Sequence, residues 1–476
     1  MQHNKQQIKS GFIWSAIDSF GNQALGLAIS LILANQLGPS AFGLVAMLTI
    51  FIAIAGVFVN SGFNSALIRK IDRNERDYST TFYFSLAMSL FCYLLLFIAS
   101  PYIASFYSQP DLTLLTKVIA IAIVIDTLAI IPRTKLSVAL DFKSQAKANL
   151  VALLISGSVA LIMAFNSYGV WALVGQQLTR AIVSVTILNL LSPWRPTVPF
   201  CKHSFKELFG FGSKLLASGL LDTIYNNSYG LIIGKQFSTV QLGIYNQAQL
   251  FSTTPATTIT GVIQKVTYPL LSQIQGDVKK LDDAYLFTLQ MAALIVFPIL
   301  LGVGIIAEPL IKLVLGQQWQ QSAKLISILT LGMALYPIHA INLNLLQIKG
   351  RSDLFLKLEV IKKVIITIAL VITVPLGVVA MCIGIVVTSV LALFVNTYYT
   401  GKLSSISQLK QLMVLLPIAL YSLLSAAAGQ QVGLYLDNDV FAIVVSLASA
   451  LACYLILLFV FKKPLIHRVK SMLNSG

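Results

Sequence analysis

The sequence predicts an all-α polytopic membrane protein of about fourteen transmembrane helices, built as two related six-helix halves plus two C-terminal helices. Three observations carry this: an apolar composition spread over the whole chain, a segregated pattern of Lys and Arg, and an internal repeat. Of 476 residues, 57% are hydrophobic and 11% are charged, whereas soluble domains carry roughly 25% charged residues. A globular interior cannot absorb so much apolar surface; a bilayer can. Stretches of about 20 apolar residues, enough to cross a hydrocarbon core, recur from end to end, and no polar segment is long enough for a separate soluble domain.

The spans read as 10–34, 41–66, 80–104, 113–132, 147–165, 168–192, 213–234, 241–264, 284–306, 324–347, 356–375, 378–398, 411–428 and 440–461. Turn chemistry separates them: Leu-Gly-Pro-Ser at 37–40, Ser-Gln-Pro-Asp at 108–111, Asn-Ser-Tyr-Gly at 166–169 and Asp-Asn-Asp at 437–439. The N-terminus is short and basic, and the first span carries Asp18, Asn22 and Gln23. A cleavable signal has a shorter apolar core and a small-residue cleavage site, so this span reads as a retained helix.

With the N-terminus placed in the cytoplasm and the spans alternating, all but five of the 33 Lys and Arg residues fall in cytoplasmic segments or adjoining helix ends. The five are Lys117, Arg180, Lys235, Lys312 and Lys324. This is the positive-inside pattern. It places both termini in the cytoplasm of a plasma (inner) membrane protein. The net charge of +16 is then topology plus attraction to anionic headgroups, not a nucleic-acid footprint. The four cysteines (Cys92, Cys201, Cys382, Cys453) and four histidines (His3, His203, His339, His467) are scattered, with no CxxC pair and no zinc-ligand spacing, so no metal site is expected.

The repeat aligns DSFGNQALGLAI from Asp18 with DTIYNNSYGLII from Asp222: Asp18 matches Asp222, Asn22 matches Asn226, and Gly26 matches Gly230. Gln36, Gly43 and Phe51 then match Gln236, Gly243 and Phe251. Lys117 matches Lys324, and GVWA at 169–172 matches GVVA at 377–380. Spans one to six and seven to twelve read as two copies in the same orientation. The implied organisation is an N-lobe over 1–195, a C-lobe over 196–400, and spans thirteen and fourteen with a cytoplasmic tail over 401–476. Transporters built from parallel repeats place their substrate between the halves and alternate access by rocking.

Asp18, Asn22 and Gly26 lie one helical turn apart, as do Asp222, Asn226 and Gly230, so each trio shares a helix face. A carboxylate at membrane depth costs roughly 2.5–3.5 kcal/mol and needs a partner or water. Each face is either a cavity wall, with Asp18, Asp126 or Asp222 taking a coupling ion, or a polar clasp between helices. Arg180 lies mid-span; it suits a phosphate, because its planar fork stays charged and donates in pairs, or serves as partner to Asp126. Span eight is polar, with Gln241, Asn246, Gln247, Gln249 and four threonines between 253 and 258, which fits a wet wall for sugars. Span ten carries His339, Asn342, Asn344 and Gln347, with a structural role for the lone histidine the plainer reading. Arg69, Lys70, Arg133, Lys135, Lys214 and Lys265 gather at cytoplasmic helix ends. They are topology charges reaching the headgroups, or an electropositive inner mouth for a diphosphate. The short outer loops present no carboxylate pair and no nucleophile with a base, and no GxxxxGK[ST] motif occurs. The chain is therefore not expected to be an enzyme.

Seven ordered segments carry a family resemblance: NQLGPSAFGLVAM (35–47), SGFNSALIRKIDRNERDYSTTFYF (61–84), ALDFKSQAKA (139–148), GVWALVGQQL (169–178), SFKELFGFGSKLL (204–216), LIIGKQFSTVQLGIYNQA (231–248) and VTYPLLSQI (266–274). On these, nearly the whole chain resembles the Wzx-type polysaccharide flippases of the multidrug/oligosaccharidyl-lipid/polysaccharide exporter superfamily, within the colanic-acid and teichuronic-acid exporter branch. The resemblance implies a V-shaped pair of lobes around a central cleft lined by spans one, two, seven and eight. It implies an undecaprenyl-diphosphate-linked oligosaccharide moved to the outer leaflet for surface polysaccharide synthesis (lipopolysaccharide or exopolysaccharide). No cofactor is implied beyond a proton or sodium gradient. Membrane lipids and polysaccharide polymerase machinery are the implied neighbours of a monomer. A drug/cation antiporter of the same superfamily and a non-transporting assembly scaffold are the competing readings. The basic inner mouth argues against the first, and the intramembrane carboxylates against the second.

Overall fold

The computed structural model describes residues 2–461. The tail from 462 onward, assigned above to the cytoplasm, and His467 lie outside the described residues, and of residues 2–13 only the helical backbone is described.

The first helix, α1 (Gln2–Asn60), contains the first two predicted spans. It is interrupted at Gly38, with φ 75° and ψ 173°, inside the expected Leu-Gly-Pro-Ser turn. Glycine enters that region without a Cβ clash, and Pro39 restarts the helix with φ already set. Left-handed Ser61 and Gly62 separate α1 from α2 (Phe63–Arg69). A capping box then starts α3 (Glu75–Tyr107): the Asn74 side chain accepts from the Asp77 backbone N–H at 3.3 Å, and the Asp77 carboxylate accepts from the Asn74 N–H at 3.1 Å.

The predicted span 113–132 is not one helix. It forms α4 (Leu112–Ile119), α5 (Ile121–Thr127) and the start of α6 (Ile130–Val138), bent by 42° at Leu128–Ala129. Pro132 has no N–H for the Leu128 carbonyl, so the helical ladder fails one turn before it. The hairpin α7 (Phe142–Phe165) and α8 (Trp171–Leu191) follows. On α7, Ala148, Ala152, Ser156, Ala160 and Ala164 recur every fourth residue and are buried. Such a small-residue stripe lets neighbouring backbones approach closely where lipid gives no hydrophobic drive. Two long helices come next, α9 (Lys202–Gln236) and α10 (Thr239–Gln273).

The second half of the chain forms α11 (Val278–Ile305), α12 (Ala307–Val314), α13 (Gln320–Met333), α14 (Tyr336–Ile348), α15 (Ser352–Thr373), α16 (Val378–Leu403), α17 (Gln408–Gly433) and α18 (Asp439–Phe461). The break at 334–335 precedes Pro337 as the earlier break precedes Pro132.

Helices account for all the regular structure among the described residues. Nine of them are long and apolar enough to cross a membrane, ten if the bent pair is one span. That test takes Ile17–Arg69 as one unit despite its kink, and α9, α10 and α15 are too polar to enter it. The fourteen predicted spans lie largely in helix, with breaks inside 41–66, 113–132 and 324–347. The exposed faces are apolar: on α18, Val444, Leu451, Leu455 and Phe459 are all more than half exposed. In water this surface would be unstable; against lipid it is the expected solution.

The chain divides into two compact units, Met1–Asn246 and Gln247–Gly476. The units are not the repeat halves. The first helix of the second copy, α9, packs on α1, α2 and α3 inside the first unit, and α10 runs through the division. In the first unit, α1 packs on the α7–α8 hairpin through Ile29, Leu33, Leu153, Ala160 and Ala172. The start of α10 also crosses α1 there. A side chain on Gly43 would collide with the Thr239 carbonyl, and one on Gly243 with the Pro39 carbonyl, so this crossing demands glycine on both helices. The second unit is built around α11, whose Tyr285, Leu289, Ala292, Val296 and Leu300 are buried against α14 and α17.

Candidate functional site

Inside the first unit, α1, α5, α6, α7 and α8 line an open cavity of about 480 Å³. Its polar lining is Asp126, Arg133, Gln145, Asn149, Gln177, Arg180 and Ser184. A smaller space of about 230 Å³ adjoins it through Ile52 and Gln177. The bend in span four matters here: it sets Asp126 just before the break and Arg133 just after it, so both charges face one volume from one span. Arg133 Nη2 lies 3.5 Å from Ser184 Oγ. Arg180 enters from α8. It forms no ion pair with Asp126 among the described residues, so the cavity holds two guanidinium groups and a carboxylate in reach of a ligand. Polar side chains around an unpaired guanidinium suit a doubly accepting anion such as phosphate.

Asp18 reaches this cavity through one residue. Asn149 Nδ2, on the cavity wall, donates to both Asp18 carboxylate oxygens at 3.2 Å. Asn22 Nδ2 donates to Asp18 Oδ1 at 2.6 Å and to the Asp18 carbonyl at 2.9 Å. The Asp–Asn face read from the sequence is therefore a real cluster, completed by an asparagine from span five. The Asn22 Oδ1 atom stays buried without a hydrogen-bond partner. A carboxylate bonded by neutral amides, beside a spare carbonyl oxygen, is suited to a proton or small cation. Asp222 and Asn226 lie exposed on α9 and do not line this cavity, nor does the exposed Lys214.

The polar groups of span eight are mixed in exposure. Asn246 is exposed and Gln249 half-buried, but Gln247 is only 3% exposed, with its Nε2 unpartnered. Thr253, Thr257 and Thr258 donate to carbonyls of their own helix. Local back-bonding satisfies these hydroxyls without water.

The basic helix ends also separate by role. Lys70 is ion-paired to Asp77, which is fully buried, at 3.1 Å and to Glu207 of α9 at 2.8 Å. Lys135 pairs with Glu75 at 3.0 Å and lies over the Tyr78 ring, while the Trp194 indole N–H donates to the same Glu75 at 2.8 Å. Arg69 stacks over Phe211, beside a cluster of Phe63, Phe84, Phe205 and Phe209. Partial burial penalises both the Lys70 ammonium and the Glu75 carboxylate. The hydrogen bonds outweigh that, raising Lys70 above the usual lysine range and lowering Glu75 below the usual carboxylate range. Lys70 and Lys135 thus neutralise partners in a knot joining α2, α3, α6 and α9, and of this group only Arg133 lines the cavity. Lys265 is exposed on α10.

In the second unit the polar groups of span ten bond mainly to buried polar side chains of α11, α16 and α17, while Asn342 Nδ2 and Asn396 Oδ1 stay buried without a partner. The Tyr285 hydroxyl reaches the side-chain oxygens of Asn342 and Gln411, and Thr400 Oγ1 lies 3.1 Å from Gln411 Oε1. All four residues are fully buried. His339 Nε2 lies 3.1 Å from Ser389 Oγ and Nδ1 3.1 Å from Asn396 Nδ2. Ser389 itself donates to the Gly332 carbonyl. A ring with its proton on Nε2 alone meets all three requirements, which is the structural role expected of this histidine.

The sequence reading missed Gln145, Asn149, Gln177 and Ser184. Gln145 and Asn149 carried a signal, two amides one turn apart at the head of an apolar span. Gln177 and Ser184 flank Arg180 and carried none.

The sequence model of a family described as polysaccharide biosynthesis protein matches residues 32–324. The chain is 25% identical over 353 residues to the teichuronic acid biosynthesis protein TuaB of Bacillus subtilis, covering 73% of each chain. It is 24% identical over 399 residues to the lipopolysaccharide biosynthesis protein WzxC of Escherichia coli K12, covering 83% of this chain and 80% of that one. Among solved structures, the lipid II flippase MurJ in an inward closed conformation matches with a TM-score of 0.79 at 15% identity, over 96% of this chain and 100% of that one. At that identity the match speaks for the fold, a multi-pass helical transporter fold, and the family match covers more than half of the chain. The chain is therefore a member of the polysaccharide biosynthesis protein family.

Proposed function

We propose that the protein is a flippase that carries an undecaprenyl-diphosphate-linked oligosaccharide across the bacterial inner membrane, from cytoplasmic to outer leaflet, for surface polysaccharide synthesis. The observation that carries this reading is the cavity of the first unit, where Arg133 and Arg180 stand among amides and hydroxyls inside membrane-spanning helices. A cationic, hydroxyl-bonding site at that depth suits a diphosphate joined to sugar, and the polyprenyl chain stays in lipid. The names of the relatives and the structural likeness to a lipid II flippase support the same class. In this reading both termini are cytoplasmic, the two repeat copies alternate access, and no chemistry is performed on the cargo.

The cycle follows from the charges. Arg133 and Arg180 gather the diphosphate in a cavity walled by apolar helices, where Coulomb attraction is stronger than in bulk water. Their release then needs a competing event, because uniform tight binding would trap the cargo. Asp18, held by Asn22 and Asn149 against the cavity wall, supplies one: a proton or sodium ion bound there changes the charge facing Asn149 and, through it, the field at the cavity. A proton or sodium gradient thus becomes the driving force.

The test is a deletion strain. It should accumulate undecaprenyl-linked repeat units on the cytoplasmic face and lose surface polymer, with both restored by the intact gene. Normal delivery of repeat units to the periplasm without the gene would overturn the reading.

A further inference from the structure

The second unit holds a cavity of about 800 Å³ that the carrier cycle above does not use. One wall is made where α11 ends and α12 and α13 begin. The other is made where α17 ends and α18 begins, so the two helices beyond the repeat complete it. The charge pattern of the sequence places this end outside.

The lining is polar and only partly self-satisfied. Lys312 of α12 pairs with Asp439 at the head of α18 at 3.1 Å, which ties the two walls together and cancels both charges. Lys324 differs: among the described residues no hydrogen bond or ion pair holds its ammonium, and it faces the cavity. Its repeat counterpart Lys117 instead lies over the Phe97 ring at 4.5 Å. Glu308 accepts a single hydrogen bond, from Gln320 Nε2 at 3.4 Å. The turn that carries Gln317 and Gln320 is rigid. It starts at Gly316 (φ 87°), is anchored by fully buried Trp319, and is tied by Ser322 Oγ donating to the Trp319 carbonyl at 2.6 Å.

From this geometry we infer that the cavity is a second binding site, for an acidic sugar unit on the outer side. Lys324 pairs with the sugar's carboxylate, while Glu308 and the glutamine amides exchange hydrogen bonds with its ring hydroxyls. Amides and a carboxylate offer both donors and acceptors to hydroxyls, and a free ammonium selects an anion over a neutral ring. The volume lies in the range of small-molecule sites, and the fixed turn limits the ordering cost on binding. The site holds the glycan after translocation. The class of ligand rests on the carrier reading; the site itself does not.

The experiment uses the full chain in phosphatidylcholine nanodiscs, titrated calorimetrically with cellobiouronic acid, a glucuronic acid–glucose disaccharide, and with cellobiose, its neutral counterpart. Wild type should bind the acidic disaccharide at least about tenfold more tightly than the neutral one, the scale of one charge-assisted contact. Lys324→Gln should erase that preference with an unchanged melting temperature, and Glu308→Gln should weaken both sugars. Equal binding of both sugars by wild type and K324Q, or no binding by wild type, overturns the inference. So does native mass spectrometry in phosphatidylglycerol nanodiscs if K324Q releases an anionic lipid while no sugar binds, because the cavity is then a headgroup site. Complementation of the deletion strain is read alongside. A protein that restores surface polymer yet binds neither sugar sinks this inference alone, whereas failure to restore polymer sinks the carrier reading.

Discussion

Between α5, α6 and α8 the first unit keeps an open cavity with two arginines and a carboxylate. Between α14 and α16, the spans that the repeat aligns with them, the second unit binds His339 to Ser389 and Asn396 and leaves no charge exposed. Arg180 is matched by Thr388, whose hydroxyl donates to the Ile385 carbonyl of its own helix. Both regions set polar groups among apolar helices, and both are broken before a proline. One leaves its charges available, and the other ties most of its neutral groups to one another, with Asn342 Nδ2 and Asn396 Oδ1 left buried without a partner. A duplicated scaffold can thus keep a site in one copy while using the other as a rigid frame. Charges without partners mark the site, whereas neutral groups bonded mainly to one another mark the frame.

If that comparison is right, substitutions should split cleanly between transport and stability. The largest effect is expected at Arg180. Arg180→Gln should cut transport by about two orders of magnitude, because it removes the paired cationic donors the site offers a phosphate, with normal membrane expression. In the frame, Asn342→Leu removes the amide oxygen that the Tyr285 and Thr400 hydroxyls reach, leaving Gln411 Oε1 as their shared side-chain acceptor. It should cost about 1–3 kcal/mol for each group left unsatisfied, seen as a lower melting temperature, while the surviving protein transports normally. Transport lost with stability intact at Asn342, or the reverse at Arg180, would break the comparison.

A smaller effect sharpens the role of Asp18. Asn149→Ala removes the two hydrogen bonds that Asn149 donates to its carboxylate, but leaves the charge and the Asn22 bond. The dependence of transport on the ion gradient should change several-fold, the size of a lost charge-assisted pair, and thermal stability should change little. A merely structural clasp would show the opposite.

The smallest effect concerns the knot at the basic ends. Glu75 has a folded pKa below its unfolded one, so its contribution is present above about pH 4.3 and is lost as pH falls through the lower folded value. Lys70 is raised, so its contribution is present below about pH 10.4 and is lost as pH rises through the higher folded value. Melting temperature should therefore be flat between these limits and decline outside them. Glu75→Gln should flatten the acid side, by well under 1 kcal/mol since these groups are partly exposed. An unchanged acid limb in that variant would remove the knot from the account.

The membrane class, the helix positions and the Asp18–Asn22 face were all legible in the sequence, because hydropathy and helical spacing are local properties. Asn149 was not, since its role depends on α7 lying beside α1, a contact set by the small-residue stripe rather than by polar spacing. The span 113–132 carried its own break in Pro132, but apolar residues on both sides hide a bend from any window average. Lys70 and Lys135 were read with the free charges because Glu207 and Glu75 are distant in sequence from the residues they neutralise. Composition alone does not say how the threonines of span eight are bonded. Threonine is polar in composition, yet a helical threonine can satisfy itself.

The central claim is that the arginine cavity of the first unit holds the anionic part of the cargo. It is tested most directly in proteoliposomes loaded with a fluorescent lipid-linked oligosaccharide, comparing wild type, Arg180→Lys and Arg180→Gln at matched protein density and melting temperature. The account predicts partial flipping with lysine, which keeps the charge but loses the paired donors, and flipping near the protein-free rate with glutamine. Flipping by R180Q within twofold of wild type would contradict it.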